Sequence, residues 1–106
     1  MYGTGGNTDG MGSKGGPGAD EVWIQGMAFN PAIITVTAGT TITWTNMDSY
    51  AHTVTSDSTG LFNSGSISMG DAYSGGGSWS HLFSTTGTYT YHCSIHPTMK
   101  GKVIVN

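Results

Sequence analysis

From Asp20 onward the chain is written in short segments of alternating apolar and polar residues, separated by turn formers. Val22 and Ile24, followed by Met27 and Phe29, read as one strand with a bulge at Gly26, and Pro31 ends it. Ile34 and Val36 begin a second. After the Ala38-Gly39-Thr40 turn, Ile42 and Trp44 alternate with Thr41, Thr43 and Thr45, as in a half-buried strand with one wet face. Val54 lies in a further short strand. Residues 56–77 are rich in loop signals, with Gly60, Gly65, Gly70 and the run Gly75–Gly77 marking turns. Trp79, His81 and Phe83 share one face of the next strand. Gly87 turns the chain into Tyr89, Tyr91 and Cys93, again at period two, and Val103 and Val105 close it. No stretch sustains a helical period. Seven or eight short strands predict an all-β domain, a sandwich or a barrel.

Composition agrees with that pattern and narrows the partners. The chain has 106 residues, 36% hydrophobic and 8% charged, with a formal charge of −3. It has no arginine, and Lys14, Lys100 and Lys102 are its only lysines. Nucleic-acid binding needs clustered cations on one face, so that class is set aside. Nothing is long or apolar enough to span a membrane as a helix. Residues 1–19, MYGTGGNTDGMGSKGGPGA, are dominated by glycine and read as a flexible linker or tether. Residues 20–106 form the domain. Met1–Gly10 lacks the basic flank and apolar run of a signal peptide. One cysteine excludes an internal disulfide and leaves the compartment open.

The chemistry gathers in Tyr91-His92-Cys93-Ser94-Ile95-His96-Pro97-Thr98-Met99. A thiol, an imidazole and a thioether recur at every third position, Cys93, His96 and Met99. On a loop between two strands, that spacing can turn three donors toward one point. Thiolate and thioether favour copper, and two imidazoles, one thiolate and a long axial thioether make the electron-transfer copper arrangement. The missing imidazole is best supplied by His52, in the loop Asn46–Val54. Singly, a cysteine is often a small buried apolar group, Met99 could fill a core and His96 could be an ordinary loop residue. Their convergence on one loop is what points to metal. His81 and His92 stay off the ligand list. His81 has no soft partner near it in sequence, and His92 faces away from Cys93 because adjacent strand residues alternate.

Phe29-Asn30-Pro31, Thr35–Thr40, Trp44-Thr45-Asn46, His52-Thr53-Val54, Phe62–Gly65, Gly87–Cys93 and Gly101-Lys102-Val103 stand in the order found in the cupredoxin family. From about Val22 to Asn106 the chain resembles that family, with a His96–Met99 gap like that of its short-loop, amicyanin-type members. The resemblance implies a Greek-key β-sandwich, one copper ion held by His52, Cys93, His96 and Met99, and one-electron transfer without enzymatic activity. It implies that Asn46 ties the two ligand loops together and that the Thr53 amide donates to the Cys93 sulfur. Redox partner proteins would dock near His96, on an apolar patch with Met47, Tyr50, Ala51, Phe62 and Pro97 as candidates. The compartment implied is extracytoplasmic, periplasm or cell surface, and the domain is expected to be monomeric, without a membrane span.

Rival chemistries fit less well. A dinuclear copper centre of the oxidase type needs two bridging cysteines. A structural zinc site rarely uses a thioether. A Cys–His hydrolase needs a base beside the thiolate and an oxyanion hole. The alternative left standing is a copper-binding accessory or cell-surface interaction domain that stores, delivers or is braced by copper.

Overall fold

The computed structural model describes residues 16–70 and 76–106. Most of the glycine-rich leader and part of the Gly75–Gly77 run therefore lie outside the described residues. Within them are eight strands and no helix: β1 (Glu21–Ile24), β2 (Phe29–Asn30), β3 (Ile33–Val36), β4 (Thr40–Asn46), β5 (Thr55–Ser56), β6 (Ser78–Phe83), β7 (Gly87–His92) and β8 (Lys100–Val105). They form two four-stranded sheets, ordered β2-β1-β4-β6 and β3-β8-β7-β5. Two pairings are parallel, β1 with β4 and β3 with β8. The expected Greek-key sandwich is the fold.

The period-two pattern decides which side chains enter the space between the sheets. Val22, Ile24, Ile42, Trp44 and Phe83 come from one sheet, and Ile34, Val36, Tyr91, Val103 and Val105 from the other. Trp44 is fully buried and touches three aromatic rings, Trp79 at 5.5 Å, Tyr91 at 5.6 Å and Phe83 at 6.2 Å between centroids. Its indole N–H donates to the Tyr91 hydroxyl at 3.1 Å, so this buried polar atom has a partner. Burial pushes the Tyr91 phenol up to about 12.

Three expectations are corrected. Gly26 is not a bulge within a single strand. Gly26 and Met27 sit at φ 66° and 58°, a tight turn between β1 and β2 in the manner of a type I′ hairpin, with Gln25 N–H donating to Ala28 C=O at 2.9 Å. Val54 is wholly buried but precedes β5 rather than belonging to it. Phe62 is no surface residue: it is 7% exposed and packs on Trp79, His81, Phe83 and Tyr91.

Candidate metal centre

Two loops at one end of the sandwich carry the candidate donors. The first runs from β4 to β5 and carries His52, whose ring is completely buried. Its backbone is fixed by a two-bond bridge to Ile67, with His52 N–H donating at 3.2 Å and Ile67 N–H donating back at 2.8 Å. The buried amide of Asn46 donates to the carbonyls of Tyr50 at 2.7 Å, Ser68 at 3.1 Å and Ile67 at 3.2 Å. Asn46 therefore shapes the His52 loop and the 67–68 segment. It does not reach the Cys93 loop, contrary to the role expected for it.

The second loop leaves β7 at Cys93 and enters β8 after Met99. Cys93 N–H donates to Met99 C=O at 3.1 Å, and Met99 N–H donates to His96 C=O at 2.9 Å, so the loop is closed at its base. Cys93 is completely buried, Met99 is 5% exposed, and His96 is partly exposed. The strand alternation that puts Tyr91 in the core puts Cys93 there too.

The link between the loops is Thr53. Its backbone N–H points at the Cys93 sulfur at 3.4 Å, as expected, and its hydroxyl oxygen accepts from Ser94 N–H at 2.8 Å. That hydroxyl is also 3.0 Å from Ser94 Oγ and 2.9 Å from Thr55 Oγ1.

Held this way, His52 Nδ1 and His96 Nδ1 each lie 3.7 Å from Cys93 Sγ, with ring centroids 5.0 Å apart. One donor atom from each of the three residues falls within a 4.8 Å group, the single such group among the described residues. A buried thiol flanked by two imidazole nitrogens is a group that could hold one metal ion of soft preference. His92 is excluded from it: half-buried on the outer face, its Nδ1 lies 2.6 Å from Asp57 Oδ1, a contact that lowers the Asp57 carboxyl below its ordinary range. His81 is also elsewhere, stacked on Trp79 at 5.3 Å and 16° between planes.

Asp48 was not foreseen. Its carboxylate accepts from Gly26 N–H at 2.7 Å and Met27 N–H at 3.0 Å, and its Oδ2 lies 2.9 Å from His52 Nε2. The available sequence signal was an acid four residues before a candidate ligand, in a chain with few acids.

With fold and site in hand, the class is that of a mononuclear metal protein on a Greek-key sandwich. The chain belongs to the copper-binding plastocyanin/azurin family, whose model matches residues 19–106. It is 36% identical over 92 residues to amicyanin-alpha of Methylorubrum extorquens, covering 83% of this chain and 72% of that one. It is 35% identical over 85 residues to the chloroplastic plastocyanin of Tetradesmus obliquus, covering 74% of this chain and 59% of that one. A solved purple cupredoxin from Nitrosopumilus maritimus superposes with a TM-score of 0.71 at 30% identity, over 81% of this chain and 98% of the other. Copper is the family's metal, and the thiol–imidazole set here suits it.

Proposed function

We propose that this domain carries single electrons between redox partner proteins, through one copper ion held by His52, Cys93 and His96 with Met99 as the weak axial donor. The supporting observation is the convergence of both Nδ1 atoms on the Cys93 sulfur at 3.7 Å, in a pocket braced by Thr53 and Asn46. When bound, copper supplies a site that can gain or lose one electron. The protein's part is to keep the donors in place through both states, and the bridged His52 backbone and the closed 93–99 loop serve that purpose. With His52, Cys93 and Met99 buried and His96 partly exposed, the site leaves little room for a substrate, so the reading is a carrier rather than an enzyme.

His96 is the partly exposed donor and the proposed point of electron entry and exit. The loops around the centre expose Tyr50 (61%), Met69 (64%) and Ile95 (49%), and these, with Pro97 and the partly buried Met47 and Ala51, make the docking surface apolar. The family resemblance supports an extracytoplasmic location, with the glycine-rich residues 1–19 as a tether. No described helix is long and apolar enough to cross a membrane.

Copper loading followed by a visible spectrum tests the reading. The chain is expected to turn intensely coloured through Cys93 thiolate-to-copper charge transfer, and Cys93→Ser to lose that band while keeping the fold. An undiminished band in Cys93→Ser overturns the site.

A further inference from the structure

We infer that Asp48 is a positioning residue for His52, and that the β1–β2 turn, acting through Asp48, sets how strongly the centre favours oxidised over reduced copper. The inference rests on the proposed role of His52 as a ligand.

Two backbone amides and one imidazole nitrogen converge on this one carboxylate. Asp48 Oδ1 takes the Gly26 N–H at 2.7 Å, while Oδ2 takes the Met27 N–H at 3.0 Å and faces His52 Nε2 at 2.9 Å. Both carboxylate oxygens already accept an amide N–H, so Asp48 presents the His52 ring with an acceptor. The two amides point the same way because Gly26 and Met27 both hold positive φ, and successive amides in such a turn form a small anion cradle. That cradle gives Asp48 a fixed seat: its side chain is only 12% exposed. Its backbone is tied as well, with Asp48 N–H donating to Asn46 Oδ1 at 2.9 Å and Asp48 C=O accepting from Gly70 N–H at 2.7 Å.

The consequence for His52 follows from its two nitrogens. Nδ1 faces Cys93 Sγ and must keep its lone pair free for a metal. The proton then belongs on Nε2, and a carboxylate at 2.9 Å is the partner that keeps it there. The same contact makes the ring a stronger donor and places a negative charge near the centre, and both favour the more highly charged metal ion. A hairpin turn in the amino-terminal strand pair thus reaches the metal centre through one side chain.

The test uses the full chain, copper-free and copper-loaded. In copper-free wild type, nitrogen-15 NMR should show His52 as the Nε2–H tautomer alone. Asp48→Asn offers an amide that cannot accept from all three donors, so the Nδ1–H tautomer should appear. The affinity for Cu(II) should fall about 10- to 100-fold relative to Cu(I), read as a rise in reduction potential. Gly26→Val leaves the Asp48 and His52 side chains themselves unaltered, and a Cβ there meets nothing within 4 Å, so it acts by disfavouring the positive φ that aims the Gly26 N–H at Asp48. It should move both readouts in the same direction by less, and it keeps the inference falsifiable if Asp48→Asn does not fold. Unchanged tautomer and potential in Asp48→Asn overturn the role of Asp48. A shift in Asp48→Asn with none in Gly26→Val overturns the role of the turn. The copper-free tautomer does not depend on the ligand assignment, which the Cys93→Ser spectrum tests separately.

Discussion

The Thr53 amide stands 3.4 Å from the Cys93 sulfur while the Thr53 hydroxyl accepts from the Ser94 amide at 2.8 Å, so one residue grips both atoms that bracket the thiol's position. Thr53 follows His52 in the chain, and Ser94 follows Cys93. The two candidate ligands nearest the protein interior are therefore registered by their immediate neighbours, across 40 residues of sequence.

Thr53→Val keeps the amide and the shape but removes the hydroxyl. Ser94 N–H then loses its acceptor in a part-buried position, a loss worth about 1–3 kcal/mol. Urea unfolding of the copper-free chain should show a loss in that range with little change in the slope. A variant as stable as wild type would mean that water replaces the hydroxyl without cost.

Met99→Leu tests the axial donor. A thioether that stabilises Cu(II) more than a hydrocarbon does should, when lost, raise the reduction potential by about 59 mV for each tenfold loss of Cu(II) affinity relative to Cu(I). Copper should still bind through the remaining donors. Voltammetry showing a lower potential would remove Met99 from the ligand set. That outcome would leave the residue the role the structure already gives it, closing the loop through its backbone bonds to Cys93 and His96.

Gly101 is the position where the core meets the ligand loop's exit strand. It pairs with Tyr91 across β7 and β8, and a Cβ there would lie 2.3 Å from the Tyr91 ring. The ring cannot retreat easily, because it packs on Phe29 at 4.7 Å and its hydroxyl holds the Trp44 N–H. Gly101→Ala should cost about 1–3 kcal/mol, the range for an overpacked core. Thermal unfolding is the measurement. Gly101→Ala together with Tyr91→Leu should recover part of the loss, because the clash is with that ring.

The strands were legible because alternation is a local property: Ile42 and Trp44 against Thr41, Thr43 and Thr45 needs no distant information. The Cys93–His96–Met99 spacing was legible for the same reason. His52 was harder, since nothing in its own neighbourhood marks it, and resemblance supplied it together with the need for a second imidazole. Asp48 escaped because its role depends on a turn at Gly26–Met27, 21 and 22 residues away. Gly26 signalled a break in the strand, but a methionine at positive φ gives no sign of itself. Phe62, flanked by loop residues, looked like surface until the aromatic cluster around it was seen. Asn46 holds the His52 loop but not the Cys93 loop expected along with it: its partners are backbone carbonyls and one backbone amide, and such groups leave no trace in a sequence.

His81 gives the fold a dependence on pH. Its ring lies among Trp79, Phe62 and Phe83, at 5.3, 5.1 and 5.0 Å between centroids. Burial there pulls its pKa below the ordinary 6.5, because the charged imidazolium loses water that the aromatic rings do not replace. In the unfolded chain the ring regains its ordinary value. As pH falls through 6.5, the unfolded state takes up a proton that the folded state refuses, so the folded state loses ground. Stability should therefore decline from pH 7.5 toward pH 5.5, and the decline should flatten once the folded protein also protonates. The Asp57 carboxyl titrates below its ordinary 3.8 and stays ionised throughout this window, so it does not contribute. The comparison that isolates His81 is between wild type and His81→Phe. The variant keeps an aromatic ring against Trp79 but cannot bind a proton. Urea unfolding of both copper-free chains at each pH should give a difference that widens in favour of His81→Phe as the solution is acidified. A difference that stays constant with pH would show that His81 protonates as easily in the folded protein as in water, and that the aromatic cluster does not exclude its charge.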